Sequence, residues 1–395
     1  MRKKTNRFWF FLALFLAPTT AIAQRAAIDT IPGMQPVVDP DNLYSEAGAN
    51  MLSAAVTGDL PRVYVPDVRA DTVTVIDPAA LKIVDRFKVG PDPQHVVPSW
   101  DLKTLWVTNN GRKGIEGSLT PIDPKTAKPG PAIPVPDPYN MYFTPDGKSA
   151  IVVAERLKRI DFRDPHSFKL QYTLKTPECP GIDHGDFSID GRYALFTCEY
   201  GRGGLVKVDI VHRKVAGYLG LPRRGALQDI RISPDGKLFY AADMIRGGVW
   251  LVDGNAFKIA GFIHTGVGAH GLYPSRDAKD LYVANRGATR YPPGLPHGKG
   301  SIAVIDFKTR RAIEIWPIPG GGSPDMGNVS ADGNHLWLSG RFDNCVYDID
   351  TRTGKVTTIP LGPEPHGLSW RHDPPGLTVW PQPGRYSLGH TGNMR

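Results

Sequence analysis

The chain has 395 residues, a formal net charge of +8 and three cysteines. Residues 1–23 hold four Lys or Arg and no acidic residue, so without them the balance falls to +4. A surplus that small, spread over a long chain, serves solubility and makes no nucleic-acid footprint.

The N-terminus places Arg2, Lys3, Lys4 and Arg7 before the apolar run FWFFLALFLA and the small residues Ala21, Ile22 and Ala23. That order predicts a secretory leader cut after Ala23 and export to a periplasm or beyond. The apolar run is too short for a spanning helix, so no membrane span is expected, and no cysteine follows to carry a lipid. Residues 24–60 read as an irregular lead, with a short helix capped by Ser45, packing against the rest without forming a domain.

From residue 61 to 371 the sequence repeats. FTPDG at 143–147, FSIDG at 187–191, ISPDG at 232–236 and VSADG at 329–333 are one phrase, with worn copies at 98–101, 274–277 and 370–373. A fixed point four residues before each turn falls on His95, Asn140, His184, Asp229, His270, Met326 and His366, giving spacings of 45, 44, 45, 41, 56 and 40. A second phrase keeps the same beat and ends on Asp77, Asp123, Asp161, Asp209, Asp253, Asp306 and Asp350. Short runs rich in Val, Ile, Tyr and Trp, bounded by Gly, Pro, Asp and Asn, are strands joined by tight turns. Four of them per period predict an all-β, seven-bladed β-propeller. Residues 62–90 lack an inner strand, so residues 366–370, starting at His366, are expected to pair beside the strand containing Val63 and Val65 and close the ring.

VYVPD before DTVTVIDP, LYVAN before SIAVID, and PDG turns after PHG or AHG resemble the YVTN-repeat family of seven-bladed propellers. The resemblance covers residues 61–370 and implies the fold alone, since similar propellers include binding proteins, lactonases, lyases and metal-cluster enzymes.

The longest spacing arises from RGATRYPPGLPHGKG at 286–300, a loop of the kind that carries specificity. Residues 372–395 form a Gly- and Pro-rich tail. His297 of the loop and His390 of the tail are expected to be solvent-exposed, with an approach to the mouth of the central channel as the alternative. Cys179 and Cys198 sit at facing ends of one hairpin, which predicts a disulfide in an oxidising compartment. Cys345 is expected to be free and buried.

Inner strands start at one mouth of the central channel, so the register residues become neighbours. His95, His184, His270, His366 and Met326 make a metal-ligand inventory that suits copper. The layout resembles the propeller domain of nitrous oxide reductase, whose histidines from several blades hold copper at the axis. The same histidines also fit a structural role in the repeat, or contacts to an organic ligand. Asp67, Asn109, Glu155, Glu199, Asp243, Asn285 and Arg341 end the second strands on that face. Among these groups Glu199 and Asp229 are the candidate general bases, and Asn140 and Arg341 the candidate cofactor-binding residues. No GxSxG, CxxCH, P-loop or HExxH occurs, which removes support for serine hydrolysis, covalent haem and nucleotide hydrolysis. The sequence therefore predicts an exported propeller that binds a small-molecule ligand or a metal ion, copper first, at the channel mouth. A rim that engages another periplasmic protein, or a lactonase- or lyase-type enzyme, is the alternative.

Overall fold

The computed structural model describes residues 1, 27–112, 115–288, 299–362 and 373–383. The leader, His297, His366 and His390 lie outside these. Among the described residues no helix is long and apolar enough to cross a membrane.

Seven antiparallel sheets follow one another along the chain. We number them as blades 1 to 7, with inner strands Thr378–Trp380, Pro93–Pro98, Asn140–Phe143, Ile182–Phe187, Leu227–Ile232, Ala269–Pro274 and Pro324–Val329. The inner strands are buried along their whole length, whereas outer ones such as Lys258–His264 alternate between exposed and half-buried positions. Apolar layers fill the space between adjacent blades; one holds Val153 and Phe162 of blade 3 against Phe187, Phe196 and Val206 of blade 4.

The repeated turn explains its own spelling. In blade 5 the Ser233 hydroxyl donates to Asp235 at 2.6 Å and accepts from Leu238 N at 3.0 Å. Asp235 in turn accepts from Lys237 N at 3.2 Å. The same bonds recur at Ser188 with Asp190 and at Ser275 with Asp277. Such side-chain to backbone bonding is why Ser and Asp hold these turns. The third-strand aspartate works alike, Asp253 accepting from Asn255 N and Ala256 N. In blade 3 that place belongs to Asp164, which accepts from His166 N and Ser167 N. Asp161, expected there, instead pairs with Arg159 and Arg163 inside the sheet.

Ring closure follows the expected principle with a different strand. Arg62, Val63 and Tyr64 pair with Trp380, Val379 and Thr378. The opposite edge of that strand pairs with Thr72–Asp77, so both edges are taken; residues 366–370, expected at the seam, lie outside the described residues. The propeller thus runs past residue 371 to Trp380.

Backbone amides of the inner strands are satisfied by side chains of the preceding blade. Asp186 accepts from Ile232 N and Asp229 from Leu272 N, both at 2.9 Å. The Tyr142 hydroxyl accepts from Gly185 N at 3.1 Å, and the Tyr273 hydroxyl from Gly327 N at 2.8 Å. Each link joins neighbouring blades near the axis.

The lead crosses the face opposite the mouth and touches all seven blades, starting on blades 3 and 4 and then passing in ring order from blade 5 to blade 2. Its Pro32 O accepts from Lys148 of blade 3, Ile31 N donates to Asp190 O of blade 4, and Leu43 N donates to Pro234 O of blade 5. Gly48 lies against Arg276 O of blade 6, and Asn50 N bonds Ala331 O of blade 7. Asp59 accepts from Trp380 Nε1 of blade 1, and Leu60 N bonds Pro124 O of blade 2. Ser45–Ala47 forms a single turn of 3-10 helix with no side-chain cap, unlike the Ser45-capped helix expected.

Candidate functional site

At the mouth lies a cavity of about 450 Å³. Two tiers of residues build its wall. The lower tier comes from the inner strands: His95, Tyr139, Gln228, His270 and Met326. The upper tier comes from the residue that follows each second strand: Asn110, Glu155, Glu199, Arg286 and Arg341 in blades 2, 3, 4, 6 and 7. Met244 of blade 5 occupies the equivalent place and lines an adjoining cleft with Glu199, Arg286 and Arg341.

One residue of register separates this tier from blade framework. Asn109, the last residue of its strand, donates to Ser118 and Thr120. Asn285 does the same toward Ser301 and accepts from Thr265. Asp243 accepts from Ala226 N, Ile245 N and Arg246 N. These three close loops within their blades, while Asn110, Arg286 and Met244 just after them face the mouth.

Local folding fixes Glu199. Cys179 and Cys198 form the expected disulfide, with a Cα–Cα distance of 5.0 Å, and Cys345 is free and buried. Beside the bridge, Glu199 N bonds Gly181 O at 2.8 Å and Tyr200 N bonds Pro180 O at 3.0 Å. Burial pushes Glu199 above its ordinary pKa, against the pull of Arg286. It also raises Glu155 to about 7, with the charge of Glu199 adding to the shift. Behind them Asp183 is almost wholly buried beside the Tyr139 hydroxyl and His184. Burial, then Glu199 and Glu155, hold it well above the carboxylate range.

Across the ring, Arg286 grips Asp325 through Nε at 2.7 Å and Nη2 at 2.8 Å. His270 Nδ1 lies 2.9 Å from the same carboxylate. Burial raises Asp325, but Arg286 and His270 outweigh it and hold it below its usual range. His270 is lowered to about 4 by burial and then by Arg286, so it is neutral at pH 7 and Nε2 is left as an acceptor.

Three of the four expected imidazoles do come together. The ring centroids of His95 and His184 are 5.2 Å apart, and those of His184 and His270 6.4 Å. Burial lowers His95 to about 3 and drives His184 well below its ordinary value. His184 Nδ1 faces the Asn140 amide at 3.1 Å and the Tyr142 hydroxyl at 3.3 Å, while Nε2 lies 3.2 Å from Asp183. His184 and Asn140 are thus tied to each other beneath the cavity. His95 Nε2 is buried without a partner among the described residues. No group of three His, Cys, Asp or Glu among those residues is arranged to hold a metal. The imidazoles gather, but His184 is turned to Asn140, Tyr142 and Asp183 and His270 to Asp325, so the described residues alone supply no complete ligand set for copper.

Asp229 sits lower still. Its carboxylate accepts from Ile230 N, Leu272 N and Arg231 Nη1, which leaves it no reach to the cavity. Asn110, Tyr139, Gln228, Met244 and Arg286, with Asp183 and Asp325 behind them, are mouth residues missed from the sequence. Their signal was available: each stands one place from a register residue that was read.

A family model described as YNCE-like beta-propeller matches residues 18–375. The chain belongs to this family. No curated protein sequence matches it. Among solved structures, a putative 6-phosphogluconolactonase from Bacteroides uniformis aligns with a TM-score of 0.60 and 15% identity, over 81% of this chain and 99% of that one. The dihydro-heme d1 dehydrogenase NirN aligns at 0.56 and 14%, over 80% and 75%. Kuenenia stuttgartiensis hydrazine synthase aligns at 0.55 and 20%, over 67% and 79%. At these identities the likeness is one of fold.

Proposed function

We propose that this YNCE-like propeller binds a small polar organic molecule in the mouth cavity. One observation carries the reading: a cavity of small-molecule size is walled by charged and neutral polar groups from six blades, including the Nε2 of His95, which has no partner among the described residues. Convergent polar groups in a concave site are how small ligands are oriented. Buried polar atoms without partners cost stability until something satisfies them. His270, oriented by Asp325, and Glu155, which titrates near 7, could also move a proton on the bound molecule. Export by the N-terminal leader accords with the disulfide at the mouth.

The test is a thermal-shift screen of polar metabolites on the natively purified chain, followed by calorimetry on the hits. Stabilising compounds should lose their effect in His95→Leu and Arg341→Ala. Absence of any hit, or hits indifferent to both variants, would overturn the proposal.

Copper remains a second reading, favoured by the spacing of His95, His184 and His270 with Met326 on the wall. It needs His366 or another group from outside the described residues to complete a ligand set. Elemental analysis of the purified chain decides it: stoichiometric copper would displace the organic-ligand reading, and a metal-free chain would remove the copper one.

A further inference from the structure

We infer that the ligand carries both an amino group and a carboxylate, and that opposite walls of the mouth read its two ends. This rests on the cavity being the binding site. The upper tier is divided by charge: Glu155 and Glu199 come from adjacent blades 3 and 4, Arg286 and Arg341 from adjacent blades 6 and 7, while Arg156 and Lys158 also line the wall beside Glu155, Arg156 being engaged by Asp92 and the Asn110 and Gly111 carbonyls. Met244 of blade 5 stands between the two pairs on one side.

A purely anionic ligand would satisfy the arginines and set its remaining surface against two carboxylates. A purely cationic one would do the reverse. In a partly buried cavity such mismatches are poorly screened, so charge complementarity selects the ligand. The arginines are placed as donors and not left as loose charges. Arg286 is held by Asp325 through Nε and Nη2 and donates Nη1 to Met244 Sδ at 3.2 Å, whereas Arg341 is anchored through Nε, 3.2 Å from Asp373, so among the described residues the terminal nitrogens of Arg341 are the donors that remain. The floor offers an acceptor in His270 Nε2 once Nδ1 faces Asp325, beside His95 Nε2, which has no partner among the described residues. Acceptors below and carboxylates to one side suit an N–H-rich cation. The planar donors opposite suit a carboxylate.

Glu155 gives a second handle. Glu199, Asp137 and Arg156 act on its charge, and the Tyr200 hydroxyl bonds to it. An ammonium group docking there favours the ionised carboxylate, so binding should release a proton near neutral pH.

The experiment is isothermal titration calorimetry of the full chain with matched probes. β-Alanine, γ-aminobutyrate and ε-aminocaproate are compared with propionate, butyrate and caproate, and with propylamine, butylamine and hexylamine. At least one amino acid should bind roughly tenfold or more tighter than both its amine and its acid, the smaller end of what a charge-assisted hydrogen bond contributes. Its heat should vary with buffer ionisation enthalpy at pH about 7, and Glu155→Gln should remove that dependence. Acids or amines that match the amino acids would overturn this inference and leave the cavity as a ligand site. Screen hits at the mouth that lack either group would do the same. Loss of every mouth-dependent hit would instead overturn the site itself.

Discussion

Replacing Asp229 with alanine separates a clamp from a catalytic base. The carboxylate accepts Ile230 N and Leu272 N at 2.9 Å each and the guanidinium of Arg231, which is itself almost fully buried. Its removal strands two amides on adjacent blades and a cation with no access to water. Breaking a buried pair in this way costs about 3–5 kcal/mol. Taking an unfolding entropy of about 2.1 cal/mol/K per residue over a propeller of roughly 320 residues, that loss lowers Tm by about 5–7 °C. Asp229→Asn retains one acceptor and should fall between alanine and wild type. Differential scanning calorimetry reads the effect, with Glu199→Gln as the comparison expected to move Tm little. If Asp229→Ala kept its Tm within about 1 °C while ligand binding disappeared, Asp229 would be a site residue and the clamp would be wrong.

Glu155 has a folded-state pKa near 7 against 4.5 in a free chain. The proton it holds therefore favours the folded state below about 4.5, and that stability is lost as the pH rises through about 7. Glu155→Gln should flatten this part of the profile; a difference in urea midpoint that stays constant across the window would refute it. The Cys179–Cys198 bridge closes a loop with a sequence separation of 19, worth about 3 kcal/mol in chain entropy. The double alanine variant should melt about 4–5 °C lower and be insensitive to reductant, and wild type melting identically with and without reductant would count against the estimate. In Gly327→Ala a Cβ would stand 1.8 Å from Trp337 O, so backbone must move at the bulge beside Met326. A loss of about 1–3 kcal/mol is expected by denaturant titration, while Gly217→Ala, which meets only Phe257 at 3.5 Å, should be near neutral; equal effects would refute the steric reading.

The blades were legible because their phrases are local. Ser233, Asp235 and Lys237 bond one another within a few residues, so the turn writes itself into the sequence at every repeat. The disulfide was legible for the same reason, through one hairpin. What escaped depends on geometry between distant segments. A bulge at Ile182/Gly185 lets both Asp183 and His184 turn inward, so counting one residue per blade found the imidazole and missed the carboxylate. By strand pairing Ala269 stands opposite Asn285 as Ile182 does opposite Cys198, so His270 takes the place of Asp183 and not of His184. The closing strand Thr378–Trp380 is three residues long and bears none of the ring register, whereas His366 does. Nothing in its letters outbid the better-looking segment.

A ring made from one chain has a weak place where its ends meet, and here that seam is three residue pairs long. Left alone, such a seam would be the first to peel, and the whole ring would then unroll blade by blade. The lead acts against this as a drawstring. Because its contacts pass from blade 3 round to blade 2 and include the bond from Trp380 to Asp59, opening the seam also requires stripping a strand laid across the far face. Resistance to unrolling becomes a property of rate as much as of equilibrium. It is set by the stretch of sequence with the least regular structure in the protein.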